Sequence, residues 1–391
     1  MKELVKQLAA EQSDAIREYR HYLHTNPELS FQETGTQAFI KDKLTQFGVE
    51  IAEGITGTST VGIIRGEKPG KTIAFRADID ALPVTECNDL PYKSMVPGVM
   101  HACGHDTHTA TLLAFAKVLS EHPELVKGTV KLIFQCAEEL LPGGAKQLVA
   151  DGVMEDVDEI YGFHASAGKD LGTVIVNDGP ISAASSTFEV RIHGKGGHGS
   201  NTSKALNPVP VAAMIIGAIE QVKTEKIDPL EAATITVNYM HAGDAPNIIP
   251  AEARIGGNVR VHNNELSVPL LDRITTVSKA ICEGWGLTCD TEIMLGYPAT
   301  INRHEQCEVA RAALRELGYE PGTSEAGLGG EDFAYYALEK PGCFFNVGAS
   351  DPEDKGTYAP HHSPLFRIDE RMLDIALECE LAVYLKAAER A

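Results

Sequence analysis

The order of apolar runs changes twice along this 391-residue chain, at Gly179-Pro180 and again at Tyr297-Pro298, and those two breaks constrain the fold most. Before the first break, helical patterns alternate with short apolar runs. Strands are expected at 61–64, 72–75, 130–135 and 159–163, and a helix at 107–120. Such alternation implies a largely parallel sheet covered by helices. Between the breaks the pattern reads strand 186–193, helix 209–224, strands 233–240 and 254–261, helix 266–285 and strand 287–294. That βαββαβ order is a complete small ferredoxin-like domain. Beyond the second break come a helix, a strand at 342–347 and a long final helix starting near Asp369. The expected fold class is α/β: a helix-covered domain with a largely parallel mixed sheet, made of residues 1–181 and 298–391, interrupted by a ferredoxin-like α+β domain at 182–297.

Charge and composition narrow the function. A formal net charge of -21 argues against a nucleic-acid partner, because Lys and Arg neutralising phosphates dominate such binding. It also disfavours an anionic membrane surface, and no apolar run approaches the roughly 20 residues a span needs. Leu4, Leu8, Ile16, Tyr19 and Leu23 recur at helical spacing among charges, an amphipathic helix rather than an export signal. The eight cysteines then read as reduced thiols of a cytoplasmic protein.

The polar residues that carry chemistry cluster where apolar runs end. Asp78 and Asp80 follow the run at 72–75, the place where open α/β sheets bind ligands. Met100-His101-Ala102-Cys103-Gly104-His105-Asp106-Thr107-His108 enters a helix with one thiol and three imidazoles, donors that zinc or manganese sites use. The helix N-terminus is expected to favour the Cys103 thiolate, which leaves open a Cys103 nucleophile with a histidine base. Glu138 and Glu139 close the run at 130–135, and such a pair suits one metal ligand and one proton carrier. His164 follows the run at 159–163, and His361-His362 lies near the C-terminus. In the inserted domain, Gly194-Lys195-Gly196-Gly197-His198-Gly199 permits a tight turn presenting His198; no Walker-type Lys-Ser/Thr follows it.

Read in order, RADIDALP, MHACGHD, AEE, GKGGHG, NIIP, GGEDFA and HHSP resemble the metal-dependent aminoacylase and carboxypeptidase superfamily. The resemblance runs from His24-Thr25-Asn26-Pro27-Glu28-Leu29 to the final helix, within the branch of hippurate hydrolases, N-acyl-amino-acid amidohydrolases and indole-acetyl-amino-acid hydrolases. It implies two divalent metal ions (zinc, manganese, cobalt or nickel) held by Cys103, His105, Glu139, His164 and His362. It implies Glu138 as general base and acid, and Asp78 as the group orienting a ligand. His198 would stabilise the oxyanion, in its own site or the partner subunit's. Asn247 and Arg260 would hold a substrate carboxylate, and Glu331 would line the pocket. The inserted domain would act as a lid and as the contact surface of a homodimer or higher oligomer.

The implied reaction is hydrolysis of the amide bond of an N-acyl amino acid, with short peptides as the alternative substrate. Several positions depart from the branch's usual pattern: Cys136 stands where proline is usual, Ser200-Asn201-Thr202-Ser203 follows Gly199, and Ala165–Asp170 replaces a proline-containing loop. None removes an implied ligand or the base; the loop beside His164 bears on substrate choice. A thiol hydrolase leaves Glu138, Glu139, His164 and His362 without a role. A non-catalytic binding protein would be expected to have lost one of them.

Overall fold

Strands buried on both faces read as continuous apolar runs rather than alternating ones, and this chain has several. In the computed structural model, which describes residues 1–390, they form a seven-stranded sheet. Its order is Glu50–Ile51, Thr60–Arg65, Lys127–Gln135, Lys68–Asp78, Glu159–Asp170, Gly342–Ser350 and Val174–Ile175. The middle four strands run parallel and the marginal ones antiparallel, so the sheet is mixed around a parallel centre. The strand expected at 72–75 continues to Asp78, because Arg76 and Asp78 are buried and pair with each other. Register puts Asp78 opposite Gln135, Arg76 opposite Ile133 and Gly162, and His164 opposite Asn346. Polar residues therefore gather at the carboxyl ends of the parallel strands.

The helix His105–Glu121 is buried at nearly every position. Its Phe115 ring lies 4.7 Å from that of Phe75, which also meets Tyr161 at 5.7 Å and Tyr384 at 6.4 Å. Phe75→Ala is expected to cost about 3–5 kcal/mol of stability, the usual range for a buried aromatic truncated to alanine. Denaturant unfolding of the two proteins measures the difference. At the N-terminus the amphipathic pattern forms two helices, Lys2–Glu11 and Ser13–Thr25, separated at Gln12. Val5, not Leu4, faces the core there; Leu4 is 42% exposed.

The chain divides into two compact units. One comprises Met1–Gly179, Ile301–Glu325 and the chain from Asp332 onward; the other comprises Pro180–Thr300 with Ala326–Glu331. In the second unit a four-stranded antiparallel sheet has the order Ala233–His241, Glu252–Val261, Ala184–His193, Thr288–Leu295. With helices Pro208–Lys226 and Asn264–Gly284 between strands, this is the βαββαβ arrangement of a ferredoxin-like fold. Both helices start with an asparagine cap: Asn207 accepts from the Val209 N–H and Asn263 from the Glu265 N–H. Ala184–His193 buries alternate residues, as a sheet covered by helices on one face requires. Among the described residues no helix is long and apolar enough to cross a membrane.

Candidate metal centre

Four separate segments of the first unit converge at the carboxyl end of its sheet. Cys103 sits just before the helix His105–Glu121, whose N-cap Gly104 has φ +96°. A side chain at Gly104 would be strained by that φ, while meeting Ala165 and Phe366 only at ordinary van der Waals distance. Glu138 and Glu139 follow the strand Lys127–Gln135 through Ala137, itself left-handed at φ +51°. His164 lies within the strand Glu159–Asp170, and His362, at φ +66°, is anchored by its N–H to the Ala102 carbonyl at 2.8 Å.

Their side chains meet in three overlapping sets: Cys103, His105 and His164; Cys103, Glu139 and His362; His105, Glu138 and Glu139. Within each set the donor atoms lie within 4.8 Å of one another. Cys103 Sγ is 3.5 Å from His164 Nε2, and His362 Nε2 is 3.1 Å from Glu139 Oε1. The arrangement fits divalent cations on its own chemistry. His105 Nε2 and Glu139 Oε1 are both buried without a formed hydrogen bond, His362 Nε2 lying 3.1 Å from the latter as an ion-pair neighbour. Buried polar atoms are rarely left so. Burial pushes the Cys103 thiol well above its ordinary pKa; His105 opposes this, and Glu139 and Glu138 add to it. Burial and the two carboxylates thus outweigh the helix N-terminus expected to favour the thiolate. A thiol so placed is a poor free nucleophile and becomes a thiolate ligand beside a cation.

Asp78, His105 and His108 also come within reach of a common ion, yet protein partners already satisfy two of them. The Ala165 N–H donates to His108 Nε2 at 2.9 Å, so the ring proton is on Nδ1 and goes to Asp78 Oδ1 at 2.5 Å. Asp78 Oδ2 accepts from Arg76 at 2.8 Å. Burial alone would raise the Asp78 pKa, but His105, Arg76 and His108 hold it well below the usual carboxylate range. His361 is likewise engaged: its Nε2 accepts from the Ala167 N–H at 3.1 Å. Burial, with His164 and His108 nearby, pulls His361 down to about 3. Burial also lowers His101 to about 4, and neither of its ring nitrogens has a partner.

Two carboxylates, Asp80 and the expected Asp78, approach the candidate ligand His105. Asp80 Oδ1 lies 3.1 Å from His105 Nδ1, while Asp78 reaches His105 Nε2 only at 3.5 Å. Asp80 Oδ2 accepts from the Glu139 N–H at 3.0 Å and from Ser30 Oγ at 2.7 Å, so one side chain fixes two candidate ligands. The sequence placed Asp80 in the right cluster without a role; its position two residues beyond Asp78 was the available signal. A further buried chain went unread. Arg20 pairs with Asp106 at 3.1 Å, Asp106 binds His24 Nδ1 at 2.9 Å, and His24 Nε2 meets Glu86 at 3.3 Å. It braces the first turn of the helix that carries His105.

The remaining expected residues belong to the second unit. His198 is exposed on the short strand Gly197–His198, opposite Ile248, and Ser200 Oγ lies 2.8 Å from its Nδ1. Asn247 precedes that pairing, its carbonyl accepting from the Gly199 N–H at 2.8 Å. Arg260 is half-buried on Glu252–Val261, and the Glu331 carbonyl accepts from Thr300 Oγ1 at 3.1 Å.

Residues 74–384 match the model of Peptidase family M20/M25/M40. The chain belongs to that family. It is accordingly a hydrolase acting on amide bonds. "Thermostable carboxypeptidase 2" of Saccharolobus solfataricus is 38% identical over 99% of both chains. "N-acyl-L-amino acid amidohydrolase" of Geobacillus stearothermophilus is 38% identical over 78% of this chain and 82% of its own. Among solved structures, the Bacillus subtilis YXEP protein, described as a dinuclear metal binding peptidase from the M20 family, superposes with a TM-score of 0.84. It shares 32% identity over 98% of this chain and 100% of that chain. Membership accounts for the ordered motifs and places the converging donors in a metal-using family.

Proposed function

We propose that this member of the family is a two-ion amidohydrolase that removes the acyl group from N-acyl amino acids. The observation that carries the reading is the convergence of Cys103, His105, Glu139, His164 and His362, two of them with orphaned buried atoms, beside a second carboxylate, Glu138. These five would hold the ions, for which zinc, manganese, cobalt and nickel are the candidates. Bound ions supply Lewis acidity and lower the pKa of a water, to about 7 in zinc enzymes. Glu138 takes a proton from the attacking water and delivers it to the leaving amine nitrogen. His198 donates to the developing oxyanion, a contact worth about 2.7–4 kcal/mol where one such donor has been removed. Asn247 and Arg260 hold the substrate carboxylate, and Glu331 lines the pocket. The second unit serves as lid and as the surface of a homodimer or higher oligomer, in a cytoplasmic enzyme.

A second reading, a peptidase cutting short peptides with the same residues, is favoured by the full-length similarity to a carboxypeptidase. Amine release from N-acetyl and N-benzoyl amino acids and from dipeptides, by metal-reconstituted and chelated protein, separates the two. Release from the acylated amino acids, abolished by chelator and restored by divalent metal, is the expected result. Preference for dipeptides would establish the peptidase, and undiminished activity in chelator would overturn both.

A further inference from the structure

The two acids of the centre stand on a turn that alanine does not adopt readily. Ala137, immediately before Glu138, has φ +51°, a conformation in which an L side chain crowds the following carbonyl. Such strain persists only where surrounding contacts over-determine it. The contacts here come from three directions. Glu33 Oε1 accepts the Ala137 N–H at 2.8 Å, Ser59 Oγ accepts the Cys136 N–H at 3.1 Å, and Asp80 accepts the Glu139 N–H at 3.0 Å. From the far side, the Gly144 N–H donates to the Ala137 carbonyl at 3.2 Å.

Glu33 is the unusual member of this set. It is fully buried, and no Lys, Arg or His pairs with it among the described residues. Its Oε2 accepts from Thr58 Oγ1 at 2.5 Å. Burial raises its pKa, and Asp80 nearby adds to the rise. A buried carboxyl group is a costly way to accept two hydrogen bonds, and its return is the fixed direction of the strained N–H at Ala137.

We infer that Glu33 is a positioning residue, clamping the left-handed Ala137 so that Glu138 and Glu139 leave the strand toward the centre. This rests on the reading of Glu138 as the proton carrier and deepens it. Glu33 touches no reacting atom; it acts through the backbone of the turn.

Four variants test the clamp: Glu33→Ala, Glu33→Gln, Thr58→Val and Glu33→Ala combined with Ala137→Gly. Measured together are kcat and KM for amine release, bound metal, thermal midpoint and amide hydrogen exchange at residue 137. Glu33→Ala is expected to lower kcat at least tenfold with KM within twofold, and to speed exchange at Ala137. Glu33→Gln keeps an acceptor for the N–H and is expected to restore most of kcat. The Ala137→Gly addition removes the strain and is expected to recover part of it. Should Glu33→Ala fail to fold, Thr58→Val, which frees Oε2, is expected to lower kcat severalfold. Wild-type kcat in Glu33→Ala, or a loss that tracks the thermal midpoint without rescue by Glu33→Gln or Ala137→Gly, overturns the inference. Glu138→Gln is assayed in parallel: if it stays active, the proton-carrier reading has failed, and exchange at residue 137 alone judges the clamp.

Discussion

Glu138→Gln is expected to lower kcat by about a thousandfold while leaving bound metal and the thermal midpoint close to wild type. General acid–base groups contribute roughly 10²–10⁴ in rate, and in the proposed mechanism one carboxylate serves both proton transfers. The substitution is isosteric, and the five candidate ligands are other residues, so metal retention is part of the prediction. Glu138 lies within reach of His105 and Glu139 in the same set of donor atoms. Glu139→Gln is expected to differ in kind, losing metal affinity as well as turnover. Steady-state kinetics and metal analysis on the two variants distinguish a proton carrier from a ligand. An active Glu138→Gln protein would remove this residue from the mechanism.

The largest stability effect outside the apolar core is expected at Arg76. Its guanidinium is buried and reaches three groups: Asp78 at 2.8 Å, Asp332 at 2.7 Å and Gln135 at 2.8 Å. Arg76→Met leaves buried Asp332 without its cation and takes one of the positive partners from Asp78, and breaking a buried pair in this way typically costs about 3–5 kcal/mol. The cost depends on pH in a defined direction. Burial pushes Asp332 up to about 6, against the lowering effect of Arg76. A carboxyl group raised on folding binds its proton in the folded state first, so its contribution to stability falls between about pH 4 and 6 and is level above. Without Arg76 that pKa rises further. The deficit of Arg76→Met relative to wild type is therefore expected to be largest near neutrality and to shrink as pH falls toward 5. Urea unfolding at several pH values measures it, and a deficit that grows on acidification would contradict this account.

Much of the fold could be read because burial leaves a periodic record. The continuous apolar runs around Phe75 and Leu132 marked strands of a largely parallel sheet, and the run at 186–193 marked a strand of the second unit. What was missed lies where buried polar residues extend those elements. Arg76 and Asp78 look like a loop in a hydrophobic pattern and are strand because they satisfy each other. The attachment of Ala326–Glu331 to the second unit had no local signal, since it depends on contacts such as Gly329 carbonyl to Ala183 N–H far along the chain. At the site, residue types and their place after apolar runs pointed to the clusters, and the resemblance supplied the ligand set. Orientation was not legible. Nothing in the spacing distinguishes Asp80, bonded to His105 and Glu139, from Asp78, bonded to His108 and Arg76. Glu33 was invisible for the same reason: its meaning lies in the φ of a residue about a hundred positions away.

The central claim, that five side chains hold two ions, is tested most directly by anomalous scattering from crystals of metal-reconstituted protein. The account predicts two peaks per chain, enclosed by Cys103, His105, Glu139, His164 and His362, with Asp78 and His108 outside the bonding distance of either. Strong peaks placed elsewhere, or none among these five residues in a protein that hydrolyses amides, would contradict it.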